Sequence, residues 1–147
     1  LVFLNTILGT RVYLDTNIFI YAFEGYPEFA TRLAELFTLI DEGSVSAVTS
    51  ELTLAEVLVK PFIDNNQHLQ QVYQQALQSI GGLEVISIGR PVLIEAARVR
   101  SHSSSLRLPD AIHGATALLS GCSTFLTNDR RLLSLPGLQV VIFSELT

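Results

Sequence analysis

One cysteine, one lysine and no methionine stand among the 147 residues. The lone thiol, Cys122 in Gly121-Cys122-Ser123-Thr124-Phe125-Leu126, excludes an intramolecular disulfide framework, so the sequence reads as cytoplasmic with a buried structural cysteine. A membrane-length apolar run is missing as well. The opening Leu1 to Gly9 is apolar, but no basic stretch leads it and Arg11 and Asp15 interrupt it, so neither a targeting nor a spanning segment is expected. Residues 1–10 are set apart as an apolar N-terminal extension whose origin is left open between a truncated start and an added remnant, and which is given no functional weight, ahead of a single domain over 11–147. Charge is scarce: 16% charged against 48% apolar residues is the reverse of a disordered chain and predicts a compact globule. The net charge of -5 lacks the basic footprint usual for a nucleic-acid binder. That deficit is uneven, since residues 1–89 hold three Lys/Arg against ten Asp/Glu, whereas residues 90–147 hold six Arg against four acids. A carboxylate cluster built for divalent cations also inflates the negative count, so acidity weakens a nucleic-acid reading without removing it.

What is present alternates. Val12-Tyr13-Leu14 predicts a buried strand ending at Asp15-Thr16-Asn17, after which Ile18 to Tyr21 is apolar again. Phe29, Leu33, Leu36, Phe37 and Ile40 recur at helical spacing before Gly43. Ser44 to Thr49 predicts a second strand, and Ser50 caps a helix running through Val59 and stopping at Pro61. A further helix over Leu69 to Ile80 is closed by Gly81-Gly82, and Leu83 to Ile88 is the third strand. Pro91 and Pro109 each open a helix. Thr124-Phe125-Leu126 and Gln139 to Phe143 complete the set. Short apolar strands alternating with helices predict an α/β fold, a three-layer α/β/α sandwich around a parallel sheet of about five strands. Ligands of such sheets bind beyond the carboxyl ends of the strands.

Four acids fall at such places, each with an ordinary structural alternative. Asp15 and Asp129 end apolar runs, and either could simply cap the element that follows. Glu56, the only charge from Leu52 to Val59, shares a helical face with Leu52, Ala55 and Val59, which predicts a near-buried carboxylate in need of a cation. Glu51 instead complements the helix start. Asp110 follows Pro109 in a first helical turn, where the helix dipole alone favours an anion, and Gly114 and Ala117 on its face would let that helix approach the sheet closely. Gathered together, such carboxylates suit Mg²⁺ or Mn²⁺ and hydrolysis at phosphorus.

Leu14-Asp15-Thr16-Asn17, Thr53 to Leu58 around Glu56, Leu108-Pro109-Asp110-Ala111 with Ala115-Thr116-Ala117, and Leu126-Thr127-Asn128-Asp129 resemble, in order, the four motifs of PIN domains over roughly residues 11–143. The resemblance implies a parallel-sheet sandwich and a Mg²⁺- or Mn²⁺-dependent endoribonuclease, commonly a VapC-type toxin paired with an antitoxin. By motif position it implies Asp15, Glu56, Asp110 and Asp129 as catalytic metal ligands, Asp15 and Asp110 the most direct, with Thr16, Asn17 and Thr127 orienting carboxylates or waters. Arg107, Arg130 and Arg131 are candidate phosphate contacts, with a solvated or antitoxin-binding face as the alternative. His113-Gly114 departs from the small apolar residues expected after Asp110, and His113 reads as a partly buried structural histidine. His68 and His102 fall in expected loops without zinc spacing. A mean hydropathy of +0.41 predicts an exposed apolar patch, hence a homodimer or an antitoxin complex. Two other readings rank lower. A Mg²⁺-dependent phosphatase or receiver-like domain lacks its second Asp after Asp15 and its lysine, Lys60 being the only one. A catalytically silent module of the same fold, binding RNA or a protein, would have no use for all four acids.

Overall fold

The computed structural model describes residues 2–146. Leu1 and Thr147, the outer ends of the extension and domain expected above, lie outside them. Five strands, β1 (Arg11–Leu14), β2 (Ser46–Ser50), β3 (Leu83–Ile86), β4 (Thr124–Thr127) and β5 (Gln139–Ile142), form one parallel sheet in the order β3-β2-β1-β4-β5. The helices are α1 (Val2–Ile7), α2 (Thr16–Phe23), α3 (Ala30–Asp41), α4 (Glu51–Ile63), α5 (Gln67–Ala76), α6 (Arg90–Ser101) and α7 (Leu108–Leu119).

The strand alternation explains the layers. Val12 and Leu14 point to one face of β1 and pack with Ile18, Leu36, Val57 and Tyr73 from α2 to α5, whereas Tyr13 points to the other and packs with Ala96, Ala111 and Ala115 of α6 and α7. The result is the α/β/α sandwich. Helix α1 buries Leu4 and Ile7 in the first of these cores. Because the chain leaves β1 toward β2 and β3 and then crosses back to β4, the strand order reverses beside β1. The carboxyl ends of β1 and β4 therefore flank a crevice.

Several boundaries differ from those expected, β3 for one ending at Ile86 and not Ile88. Helix α4 continues through Pro61 to Ile63. The ring is buried in the last turn with only two helical residues after it, so the loss of one N–H donor there is tolerated, and its carbonyl accepts from Asn66 N (2.9 Å) and Gln70 Nε2 (3.2 Å) beyond the helix end. Helix α5 ends at Ala76, short of Ile80, and His68 lies in its first turn, not in a loop. At Gly82 a Cβ would lie 2.2 Å from the Ile40 carbonyl oxygen, so this glycine serves the close approach of α3.

Candidate active site

Asp15 is the anchor of the crevice. The Leu126 carbonyl accepts from its backbone N–H at 2.9 Å, extending the β1–β4 ladder, and its carboxylate caps α2 by accepting from Thr16 N at 2.9 Å. Thr127, at the end of β4, donates its hydroxyl to the second carboxylate oxygen (2.6 Å). The same hydroxyl accepts from Asp129 N at 3.1 Å, so one threonine couples two acids. Only 6% exposed, Asp15 has its carboxyl pushed above the usual range by burial, against the pull of His113, Thr127 and the Thr16 amide.

Asn17 braces this corner. Its Nδ2 reaches Asp15 at 3.5 Å and Thr127 at 3.4 Å, and its Oδ1 accepts from Asn128 N at 3.2 Å. Asn128 in turn donates to the Tyr21 hydroxyl (3.0 Å) and accepts from Ser144 N (2.9 Å), a bracing role that the sequence reading did not assign.

Asp110 and Asp129 both make the local bonds that would explain them as caps. Asp110 accepts from Arg107 N (2.9 Å) at the start of α7, and Asp129 accepts from Arg131 N (3.0 Å) at the start of a 3₁₀ turn over Arg130–Ser134. They also share a cation. The Arg131 guanidinium contacts Asp129 at 2.5 Å and Asp110 at 3.3 Å. Arg130 turns away and pairs with Glu145. At Gly114 the closest neighbour is Leu135, whose Cδ2 lies 2.6 Å from where a Cβ would sit, while Ala111, Ala115 and Ala117 of the same helix pack with Tyr13, Val48 and Phe125 of the sheet.

Glu56 corrects the sequence reading. Its side chain is 36% exposed, because the buried face of α4 is Thr53, Val57 and Pro61, while Ala55 and Val59 look outward with it. The glutamate leans over the crevice rim, where the Thr16 hydroxyl donates to Oε1 at 2.7 Å and His113 Nε2 meets the same oxygen at 2.6 Å. Burial would raise its pKa, but His113 and Thr16 outweigh that and hold it below the usual value. His113, expected to be partly buried and structural, is 3% exposed and sits within the site, its Nδ1 2.6 Å from the buried Tyr13 hydroxyl. Burial opposes its protonation, yet Glu56, Asp15 and Asp110 together move its pKa upward. A lone histidine after Asp110 carried no spacing signal that could have revealed this.

Asp15, Thr16, Asn17, Glu56, Asp110, His113 and Asp129, with Arg107 and Arg131, line one pocket of about 300 Å³. The four acids thus arrive from four separate elements. Among the described residues, however, no three His, Cys, Asp or Glu side chains converge closely enough to hold an ion as they stand; Glu56 is paired with His113, and Asp110 and Asp129 with Arg131. A larger groove of about 660 Å³, lined by apolar residues of α2, α3 and α5 such as Phe19, Phe37 and Ala76, is separate from this chemistry.

A sequence profile described as the PIN domain matches residues 12–138. The chain belongs to the PIN domain family. Among solved structures it is similar to a toxin–antitoxin complex from Klebsiella pneumoniae (28% identity, TM-score 0.68, 90% of this chain and 97% of that one). It is also similar to FitAcB from Neisseria gonorrhoeae (25%, TM-score 0.68, 92% and 99%). VapBC2 from Rickettsia felis bound to a promoter DNA fragment shares the fold at 18% identity (TM-score 0.71, 90% and 98%). Comparison with curated proteins gives no significant match. This PIN domain has no helix among its described residues long and apolar enough to cross a membrane.

Proposed function

We propose that this PIN domain is a Mg²⁺- or Mn²⁺-dependent endoribonuclease and the toxin of a toxin–antitoxin pair, acting in the cytoplasm as a homodimer. The observation that carries the reading is the convergence of Asp15, Glu56, Asp110 and Asp129 on one pocket at the carboxyl ends of β1 and β4. Similarity to a toxin–antitoxin complex at 28% identity supports the partner. The donors fit the cation in kind, since four carboxylates, the Thr16 hydroxyl and the Asn17 amide oxygen supply hard oxygen ligands, no thiolate is present, and the one imidazole, His113, is engaged with Glu56. When bound, such an ion supplies charge neutralisation at the phosphodiester and a more acidic attacking water.

The chain's own groups do the rest. Asp15 and Asp110 are the direct ligands, with Glu56 and Asp129 flanking them, and Thr16, Asn17 and Thr127 hold the carboxylates in place. Arg107 and Arg131 stand at the rim, where a guanidinium can pair with a backbone phosphate of RNA. The test is cleavage of single-stranded and structured RNA by partner-free protein with Mg²⁺ or Mn²⁺. Activity abolished by EDTA and lowered about a hundredfold or more in Asp15→Asn and Asp110→Asn is expected. One observation favours a second reading: the acids already have internal cations in His113 and Arg131, as a silent binding module would tolerate. RNA or partner binding unchanged by EDTA, with no cleavage, would establish that module instead.

A further inference from the structure

Glu56 is the one acid of the four that projects from the middle of a helix with over a third of its side chain in solvent, so nothing in the backbone fixes its carboxylate. What fixes it is a path from the far side of the sheet. Tyr13, fully buried on the α6–α7 face of β1, meets His113 Nδ1 at 2.6 Å, and Nε2 of the same ring meets Glu56 Oε1 at 2.6 Å. An ionised carboxylate only accepts, so Nε2 carries the proton and donates whether the ring is neutral or charged. Both protein contacts, from His113 and Thr16, fall on Oε1. Oε2 is left without a hydrogen-bond partner among the described residues.

Resting on the nuclease reading above, we infer that His113 is a positioning residue, tethered by Tyr13, that orients Glu56 so that its second oxygen stays available to a divalent ion in the pocket. The ring is held from both ends, with one nitrogen on the phenol in the core and the other on the acid at the rim. A histidine retained only to fill core volume would need the first contact and not the second. Glutamine carries its amide nitrogen about as far out as Nε2 and can still donate to Glu56, whereas asparagine reaches only about as far as Nδ1 and can meet only Tyr13.

The experiment is calorimetric titration of Mn²⁺ into the metal-stripped full chain, with thermal melting in EDTA to check each fold. His113→Asn is expected to weaken Mn²⁺ binding roughly ten- to a hundredfold, with His113→Gln restoring most of it and Tyr13→Phe losing a few-fold as the ring is freed. If His113→Ala fails to fold, the near-isosteric Gln and Asn pair still decides the matter. Equal Mn²⁺ affinity in those two variants, while Asp110→Asn abolishes uptake, overturns the positioning role alone. No Mn²⁺ uptake by the unaltered chain overturns the nuclease reading and this inference with it.

Discussion

Arg131 reaches the acids from the turn that Asp129 itself begins, so its guanidinium lies across Asp110 and Asp129 without leaving its own element. Replacing it with glutamine leaves two carboxylates facing each other uncompensated. Arg131→Gln is therefore expected to melt at a lower temperature than the unaltered chain in EDTA, with the gap narrowing when Mn²⁺ is added and, on the proposed ribonuclease function, the KM for RNA rising. Equal melting of the two proteins with and without Mn²⁺ would show that the guanidinium is not holding these acids. Cys122 offers a simpler check: burial pushes its thiol up to about 11, so it should resist a thiol reagent near neutral pH until the chain is unfolded. The placement of Asp15 and Asp129 beyond strand ends was legible in the sequence, because Asp15 directly follows an apolar run and Asp129 follows one after Thr127-Asn128. Glu56 was legible as a residue and not as an environment, because which face of an amphipathic helix is buried depends on what packs against it, here the core that takes in Thr53 and Val57.

Caps and close contacts decide the elements. Ser50, fully buried, accepts from Leu52 N at 3.0 Å to start α4, and Ser50→Ala should cost about 1 kcal/mol in chemical denaturation. Gly82→Ala is expected to cost more, about 1–3 kcal/mol, because the clash is with the fixed Ile40 carbonyl and not with a side chain that can rotate. An unchanged denaturation midpoint for Gly82→Ala would mean that β3 can shift away from α3. These two residues also mark what composition could reveal. Ser50 before an apolar helical run announces a cap through its chemistry alone. Gly82 looked like a helix stop, and only the packed structure shows a carbonyl where its side chain would be. Pro61 misled in the opposite sense, since a proline is a strong local signal that the last turn of α4 absorbs.

At the scale of the whole molecule, the strand periodicity and the alternation of elements made the sandwich legible, whereas the order of the strands depends on which way each crossover passes, and no local pattern encodes that. The expected apolar surface is present at the end of α4, where Val59, Phe62 and Ile63 are all more than half exposed. If this surface joins two copies, Phe62→Asp should convert a dimer into a monomer by sedimentation without lowering the melting temperature of the subunit. A concentration-independent monomer in the unaltered protein would remove the dimer from the proposal. Strand β1 has neighbours on both edges, and Asp15 is tied to one of them through the Leu126 carbonyl. Fraying from the rim of the sheet cannot reach that carboxylate until the middle has come apart. Its amide should thus be among the slowest to exchange with deuterium, and on heating, loss of the proposed RNA cleavage should track global melting and not precede it.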